Sequence, residues 1–381
     1  MSQQDHGQAA KETWMSVAKK IIEYVGQARA VERRFGVSVF HQFAEMVRLR
    51  RGPGRIGPGD YYAYRLFDPE IAEEEKRRFV GWQAEAMLDA LNDPRWHCLG
   101  LDKVLMYALF RDSGIRVPET RAIYLPGRKR ILSGAACLSS EADLHAWLRE
   151  SANYPFFSKP SASGFGRGAL LAKGYEGGDD AVVLNDGTRI PVSSFGQVFH
   201  DVEHLGYLFQ VPLDHDQRLT STLGHIPSSL RIMVLIDEEE GPLIHRAFWK
   251  IPTGRNYSDN FNSGTSDNLA AAIDAESGRV IRVINGVGLD LREIDVHPDS
   301  GARLRDMAIP DWQEVKKFAL ATSRVLPKLR FQQWDIALTN TGPVALEVNL
   351  FGTGGGDLTQ MLYRKGLLDE TMRRFLRRLS Q

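Results

Sequence analysis

The chain has 381 residues, 43% hydrophobic and 25% charged, which suits a globular protein with a sizeable core and two or three structural units. Lys plus Arg and Asp plus Glu both total 48, so no global charge argues for a nucleic-acid partner. Two cysteines, Cys98 and Cys137, exclude a disulfide framework. No apolar run reaches the ~20 residues of a membrane span and MSQQDHGQAAKE lacks a signal-peptide layout, so a cytoplasmic protein is expected.

Residues 1–50 read as helix. Val17, Ile21, Tyr24 and Val25 recur at helical spacing, as do Phe40, Phe43, Ala44 and Val47. The basic run Arg48, Arg50, Arg51 and Arg55 flanks the breaker Gly52-Pro53-Gly54 and reads as a solvated helix end, or as a contact for a membrane surface or phosphate-rich partner. Asp60 is the expected N-cap for Tyr61 to Tyr64, and Asp68-Pro69 a helix start. Glu73, Glu74 and Glu75 follow where a helix dipole favours acids. Residues 1–100 form a mostly helical N-terminal region in this reading.

A helix opens near Asp102 and stops at Gly114, with a short strand expected over 115–117 and a helix over 143–150. A strand over 154–159 ends in Lys159-Pro160, and the small-residue loop SASGFGRG leads to a returning strand over 169–173. Glycines let backbone N–H groups approach an anion, so the loop reads as a phosphate cradle or as an ordinary Gly-rich turn. It is not a Walker loop, because a strand follows and Gly-Lys-Ser/Thr is missing; nor is it a dinucleotide fingerprint, which needs a helix there. A kinase reading fails for want of His-Arg-Asp and Asp-Phe-Gly downstream.

Residues 207–213 form a short apolar strand stopped by Pro212, either core or a hinge facing a purine edge. A strand over 229–236 carries Arg231. Its expected partner over 242–251 places Arg246, Phe248 and Lys250 on one face, as solvated surface or phosphate clamp. A turn-rich loop over 257–264, a strand over 268–274 and a helix over 311–326 follow.

The stretch FQQWDIALTNTGPVALEVN reads as a hairpin about a three-residue loop, Asn340-Thr341-Gly342. Leu338 then faces Val344, Ile336 faces Leu346 and Trp334 faces Val348, while Asp335 lies across from Glu347 and Asn349 shares their face. Facing carboxylates repel, and two acids with an amide oxygen make an all-oxygen set for a hard cation such as Mg²⁺. The alternative is a wet hairpin face that happens to carry acids. FGTGGGD then leads into a helix from about 358, a candidate anion site, and a last helix spans 369–379 with a basic outer face.

In this order the motifs YYAYRL, LDK…GIRVPET, FFSKPSASGFGRG, SSLRIMVL, SDNFNSG and WDIALT…GPVALEVN resemble the ATP-grasp superfamily. The resemblance covers about residues 60–365, and its nearest branch is the sugar-transfer-associated one, related to α-L-glutamate ligases. It implies an α+β fold in which two lobes clasp ATP, carried by residues 101–213 and 214–381. It further implies that Lys103 and Lys159 touch ATP phosphates, and that Ser161, Ser163, Gly164 and Gly166 form a flap over them. Gln210, Val211 and Leu213 would line adenine, and Asp335, Glu347 and Asn349 would hold Mg²⁺. Arg231 would face the transferred phosphoryl group, with Lys250 and Asn262 as secondary candidates. Gln333 stands where some ATP-grasp ligases carry Arg, so that cation is expected from Arg231.

The activity so implied is ligation of a small-molecule carboxylate to an amine through an acyl phosphate, releasing ADP. A small-molecule kinase on the same scaffold, or a nucleotide-binding protein without turnover, are the alternatives.

Overall fold

The computed structural model describes residues 3–128, 132–162, 168–199, 206–224, 227–254, 259–350 and 356–379, with backbone alone for 3–18 and 263. Two compact units emerge: residues 1–87, 286–292 and 356–381 in one, and 88–285 with 293–355 in the other. No described helix is long and apolar enough to cross a membrane.

The first unit begins with helices α1 (Gln3–Phe35) and α2 (Val39–Arg50). Gly36, with φ +72°, ends α1 in the left-handed conformation that glycine adopts without strain. Ser38 caps α2, accepting from the His41 N–H at 3.2 Å. The face of α2 turned inward carries Gln42, Glu45 and Leu49, while Phe40 and Phe43 are 81% and 61% exposed. Polar partners stabilise that interior: Gln42 donates to Ala28 O and Val37 O, and Glu45 accepts from Tyr61 at 2.6 Å and Lys76 at 2.8 Å.

Two expected helix starts move. Pro58 takes the first turn of a short helix, Pro58–Ala63, so Gly57 is the cap and Asp60 sits three residues in, accepting from the Gly57 N–H at 2.8 Å. Asp68-Pro69 opens no helix. Asp68 instead accepts from the Glu70 N–H at 3.0 Å within a turn and pairs with Arg364 at 2.8 Å, and Glu73–Lys76 is the next helix.

In the second unit, the helix Lys103–Asp112 is capped by Asp102, which accepts from the Val104 N–H at 3.0 Å. The strand expected over 115–117 is absent from the ladders. Arg116 O accepts from the Ala345 N–H at 3.0 Å, and β1 (Thr120–Tyr124) begins only beyond Pro118, which has no N–H to donate. With β1 the first sheet contains β2 (Ala136–Leu138), β3 (Phe156–Pro160), β4 (Leu170–Glu176), β5 (Ala181–Leu184), β6 (Arg189–Pro191) and β7 (Tyr207–Gln210). Their order is β2-β1-β7-β3-β4-β5-β6. Phe156, Phe209, Phe195 and Trp147 pack on one another against this sheet.

The second sheet contains β8 (Ser229–Asp237), β9 (Gly241–Ile251), β10 (Leu269–Ile273) and β11 (Val280–Asn285), followed by the hairpin Phe331–Thr339 and Gly342–Asn349. Neighbours run β11-β10-β9-β8, then the two hairpin strands. Trp249, Trp334, Ile232 and Phe110 fill the core beneath.

The hairpin closes one residue sooner than its sequence suggests. Thr339 lies opposite Gly342, whose φ is +103°, so the expected Leu338–Val344 and Ile336–Leu346 pairs give way to Leu338–Pro343 and Ile336–Ala345. A bulge at Leu346 then restores the register, because Trp334–Val348 and Asp335–Glu347 pair as expected. The bulged carbonyl accepts from Tyr107 Oη at 2.8 Å, so it is not left unpaired. Every residue of Phe331–Thr339 is buried, Asp335 included, while Glu347 and Asn349 on the partner strand are half-buried.

Candidate functional site: a carboxylate pair among buried cations

Asp335 lies directly across from Arg231 of β8. The guanidinium grips it with both edges, Nε–Oδ1 at 2.6 Å and Nη2–Oδ2 at 2.7 Å, the fork geometry that makes such pairs strong. Lys250, on β9 opposite Ser229 and hence diagonal to Arg231, places Nζ 3.0 Å from the same Oδ2. Burial alone would push the Asp335 carboxyl up, but Arg231 and Lys250 outweigh it and hold it well below the ordinary carboxylate range. Burial pulls the two cations down, yet both end above their usual values. Asp335 is the chief opposing charge for Arg231, while Asp259 followed by Asp335 serves Lys250.

Asp259 was not picked out by the sequence. It accepts from Ser229 Oγ and lies 3.5 Å from Lys250 Nζ, and burial raises its pKa. Its position in SDNFNSG was visible, but only the fold of the second sheet turns it onto Lys250.

Glu347 meets a different cation, Lys103 Nζ at 3.2 Å. Lys103 is the first residue of its helix, and its N–H donates to Ser161 O at 3.0 Å just past the end of β3. One turn on, Tyr107 accepts from Lys159 Nζ at 2.9 Å while donating to Leu346 O. The helix thus ties the lysine ending β3 to the acidic hairpin. Burial pushes the Tyr107 hydroxyl up. Burial also lowers Lys159, only partly offset by the charges of Glu347 and Asp335. Tyr107 too was missed, although its four-residue spacing from Lys103 puts both on one helix face.

Arg231, Lys250, Lys103, Lys159, Asp335 and Glu347 are therefore joined by contact or by electrostatic interaction. Ser161 is buried, its N–H donating to Gly206 O at 2.9 Å. Ser163, Gly164 and Gly166 lie outside the described residues, as does 351–355 of the last glycine-rich loop. β7 stops at Gln210, short of the expected 213. Gln210 donates to Thr120 Oγ1 at 3.2 Å, the Val211 N–H donates to Glu119 O at 2.9 Å, and Leu213 is half-buried. Asn262 is exposed with φ +47°, and no described contact joins it to the carboxylates. Asn349 faces Gln333 across the hairpin.

Among the described residues no three His, Cys, Asp or Glu side chains are grouped as a metal site. The chain offers instead two carboxylates, Asp335 and Glu347, and the amide of Asn349, whose Nδ2 is buried without a described hydrogen-bond partner. Such a sparse, all-oxygen set does not suit a self-contained cage. It does suit Mg²⁺, which takes one or two carboxylates and completes its shell with phosphate and water.

Comparison with solved structures gives the D-alanine–D-alanine ligase of Bacillus anthracis, at 12% identity and TM-score 0.37 over 78% of this chain and 73% of that one. The L-amino acid ligase of Bacillus licheniformis matches at 11% identity and TM-score 0.37, over 68% of this chain and 42% of that one. The N5-carboxyaminoimidazole ribonucleotide synthetase of Thermotoga maritima matches at 12% and 0.36, over 75% and 58% respectively. This chain spans less than two thirds of the length of the latter two. No curated protein matches. The profile of the sugar-transfer-associated ATP-grasp family matches residues 83–374, well over half of the sequence. The chain belongs to that family, and its α+β fold is the ATP-grasp fold preceded by a mostly helical N-terminal region.

Proposed function

We propose that this protein is an ATP- and Mg²⁺-dependent carboxylate–amine ligase that acts in the cytoplasm on small molecules. The observation that carries the reading is the facing pair Asp335–Glu347, set among Arg231, Lys250, Lys103 and Lys159. Four buried cations against three carboxylates, Asp335, Glu347 and Asp259, leave positive charge that suits a polyanion such as a triphosphate. In this reading residues 101–213 carry the first lobe and 214–381 the second, although 356–381 group with the N-terminal helices in the first compact unit.

Lys103 and Lys159 bind the nucleotide phosphates, with Ser161, Ser163, Gly164 and Gly166 covering them. Gln210, Val211 and Leu213 flank adenine. Because the Val211 N–H already donates to Glu119, the purine edge must be met by other backbone groups of that segment. Asp335, Glu347 and Asn349 would hold Mg²⁺, which neutralises phosphate charge when bound.

The γ-phosphoryl group passes to an oxygen of the substrate carboxylate, giving an acyl phosphate and ADP. The amine attacks the carbonyl carbon, the C–O bond to phosphate breaks, and the amide nitrogen releases a proton. Arg231, fixed by its two bonds to Asp335, and Lys250 stand as preorganised positive charge beside the transferred group, with Asn262 as a further contact on closure. Charge placed in advance costs no reorganisation during reaction. Exclusion of water by the flap protects the acyl phosphate from hydrolysis.

The test is ADP release with Mg²⁺ across paired carboxylates and amines, with amino acids and amino sugars first. ADP that needs both partners supports ligation. ADP that forms with a hydroxyl acceptor and no amine makes the protein a kinase, and AMP as product overturns the acyl-phosphate route.

A further inference from the structure

The helical hairpin α1–α2 is built inside out. Phe40, Phe43, Ala44 and Val47 recur at i, i+3, i+4 and i+7, the stripe that ordinarily faces a core. Here Phe40, Phe43 and Ala44 are exposed, and the opposite face, with Gln42 and Glu45, is buried. Hydrogen bonds to Ala28 O, Val37 O, Tyr61 and Lys76 satisfy those buried groups, so the orientation of α2 is fixed by partners. On α1, Ile21, Ile22 and Val25 are 57%, 73% and 44% exposed. Large apolar side chains exposed on both helices of one hairpin, with Phe40 and Phe43 one turn apart on α2, mark an interaction surface rather than scatter.

The charges on the same two helices select the partner. Lys19, Lys20, Arg29, Arg33, Arg34 and Arg50 are exposed, against Glu23 and Glu32. Glu45, the one further acid on these helices among residues 19–50, is turned inward and paired with Lys76. A second copy meeting this face symmetrically would set one cationic rim against another. A layer of anionic headgroups over acyl chains accepts both the apolar stripe and the basic rim.

We propose that the α1–α2 hairpin docks this protein peripherally on an anionic lipid bilayer, with Phe40 and Phe43 entering the headgroup–acyl boundary. The hairpin lies on the surface and does not span it.

The test is co-sedimentation of the full chain with vesicles of phosphatidylcholine alone or of equal parts phosphatidylcholine and phosphatidylglycerol. Binding is expected to the anionic vesicles and to weaken with salt. The double variant F40D/F43D should bind about tenfold or more weakly. Both side chains are exposed, so its circular dichroism should match the parent. In a Phe40→Trp variant, fluorescence should shift to the blue and be quenched by lipids brominated near the headgroup. Equal binding by F40D/F43D, or no binding to either vesicle, overturns the proposal. So does a dimer by light scattering that F40D/F43D dissolves while vesicles bind neither protein, since the face would then join two copies of the chain.

Discussion

Two buried charge clusters sit in this molecule, and they differ in kind. In the first unit, Glu45 meets Lys76 at 2.8 Å and Tyr61 at 2.6 Å, and each group has its partner. In the second unit, Asp335 is shared by Arg231 and Lys250, Lys250 also meets Asp259 at 3.5 Å, Glu347 takes Lys103, and Lys159 rests on a neutral tyrosine. A buried pair such as Glu45–Lys76, with Arg48 3.6 Å away at its edge, can be replaced by apolar residues at little cost, because desolvation cancels most of its Coulomb gain. The second cluster holds positive charge in reserve, which has no structural benefit unless something anionic binds there. On the proposed function, the difference separates a packing device from a binding site.

The largest effect should come from Asp335→Asn. It leaves Arg231 and Lys250 buried without their carboxylate and removes a proposed metal contact. ADP formation should drop about 100- to 1,000-fold, and denaturant unfolding should show roughly 3–5 kcal/mol lost. The same residue predicts an acid limb. Its folded pKa lies below the ordinary value, so its stabilisation is complete above about pH 3.9 and is lost as pH falls through the folded value. The Asn variant should lack that limb, and an unchanged acid-unfolding curve would break the comparison.

In the other cluster, Lys76→Met alone should destabilise by about 3–5 kcal/mol, because it removes the buried ammonium 2.8 Å from Glu45. The combined variant E45L/K76M/Y61F should recover most of that loss in thermal melts, with ADP formation unchanged. An equivalent apolar replacement of Asp335 and Arg231 should leave no turnover whatever its stability, which sharpens the contrast.

Lys159→Met should weaken ATP binding by about 10- to 100-fold, roughly 1.5–3 kcal/mol for a charged hydrogen-bond donor, as read by calorimetry. Because burial lowers the Lys159 pKa, its proton leaves at a lower pH than an ordinary lysine's, and ATP affinity should fall as pH rises through that value. Over the same interval the unfolded chain binds more protons than the folded one, so stability should rise with pH. Lys159→Arg should flatten the affinity profile.

The smallest effect is expected of Tyr107→Phe, which removes the acceptor for Lys159 and the donor to Leu346 O. About 1–3 kcal/mol of stability should be lost. ATP affinity should drop by less than in Lys159→Met, because the ammonium itself remains.

The acidic hairpin shows how much the sequence could give. The facing of Asp335 and Glu347 was legible, because apolar alternation punishes a one-residue slip. The pairs nearest the turn were not, since a bulge at Leu346 can take up any register error at the loop and leaves no composition signal. Asp102 as a cap and Gly114 as a stop were legible from local chemistry, whereas Asp60 and Asp68 looked like caps and were drawn into other roles by Pro58 and Arg364.

What the sequence by itself determined are features set within a few residues: helix caps, strand alternation, the order of the lysines and the acid pair. The tertiary structure alone decided that Arg231 and Lys250 close on Asp335, that Tyr107 links Lys159 to the hairpin, and that α2 turns Gln42 and Glu45 inward. Each of these depends on partners distant in the chain, and a periodic pattern states only which side chains share a face, not which face the rest of the molecule covers.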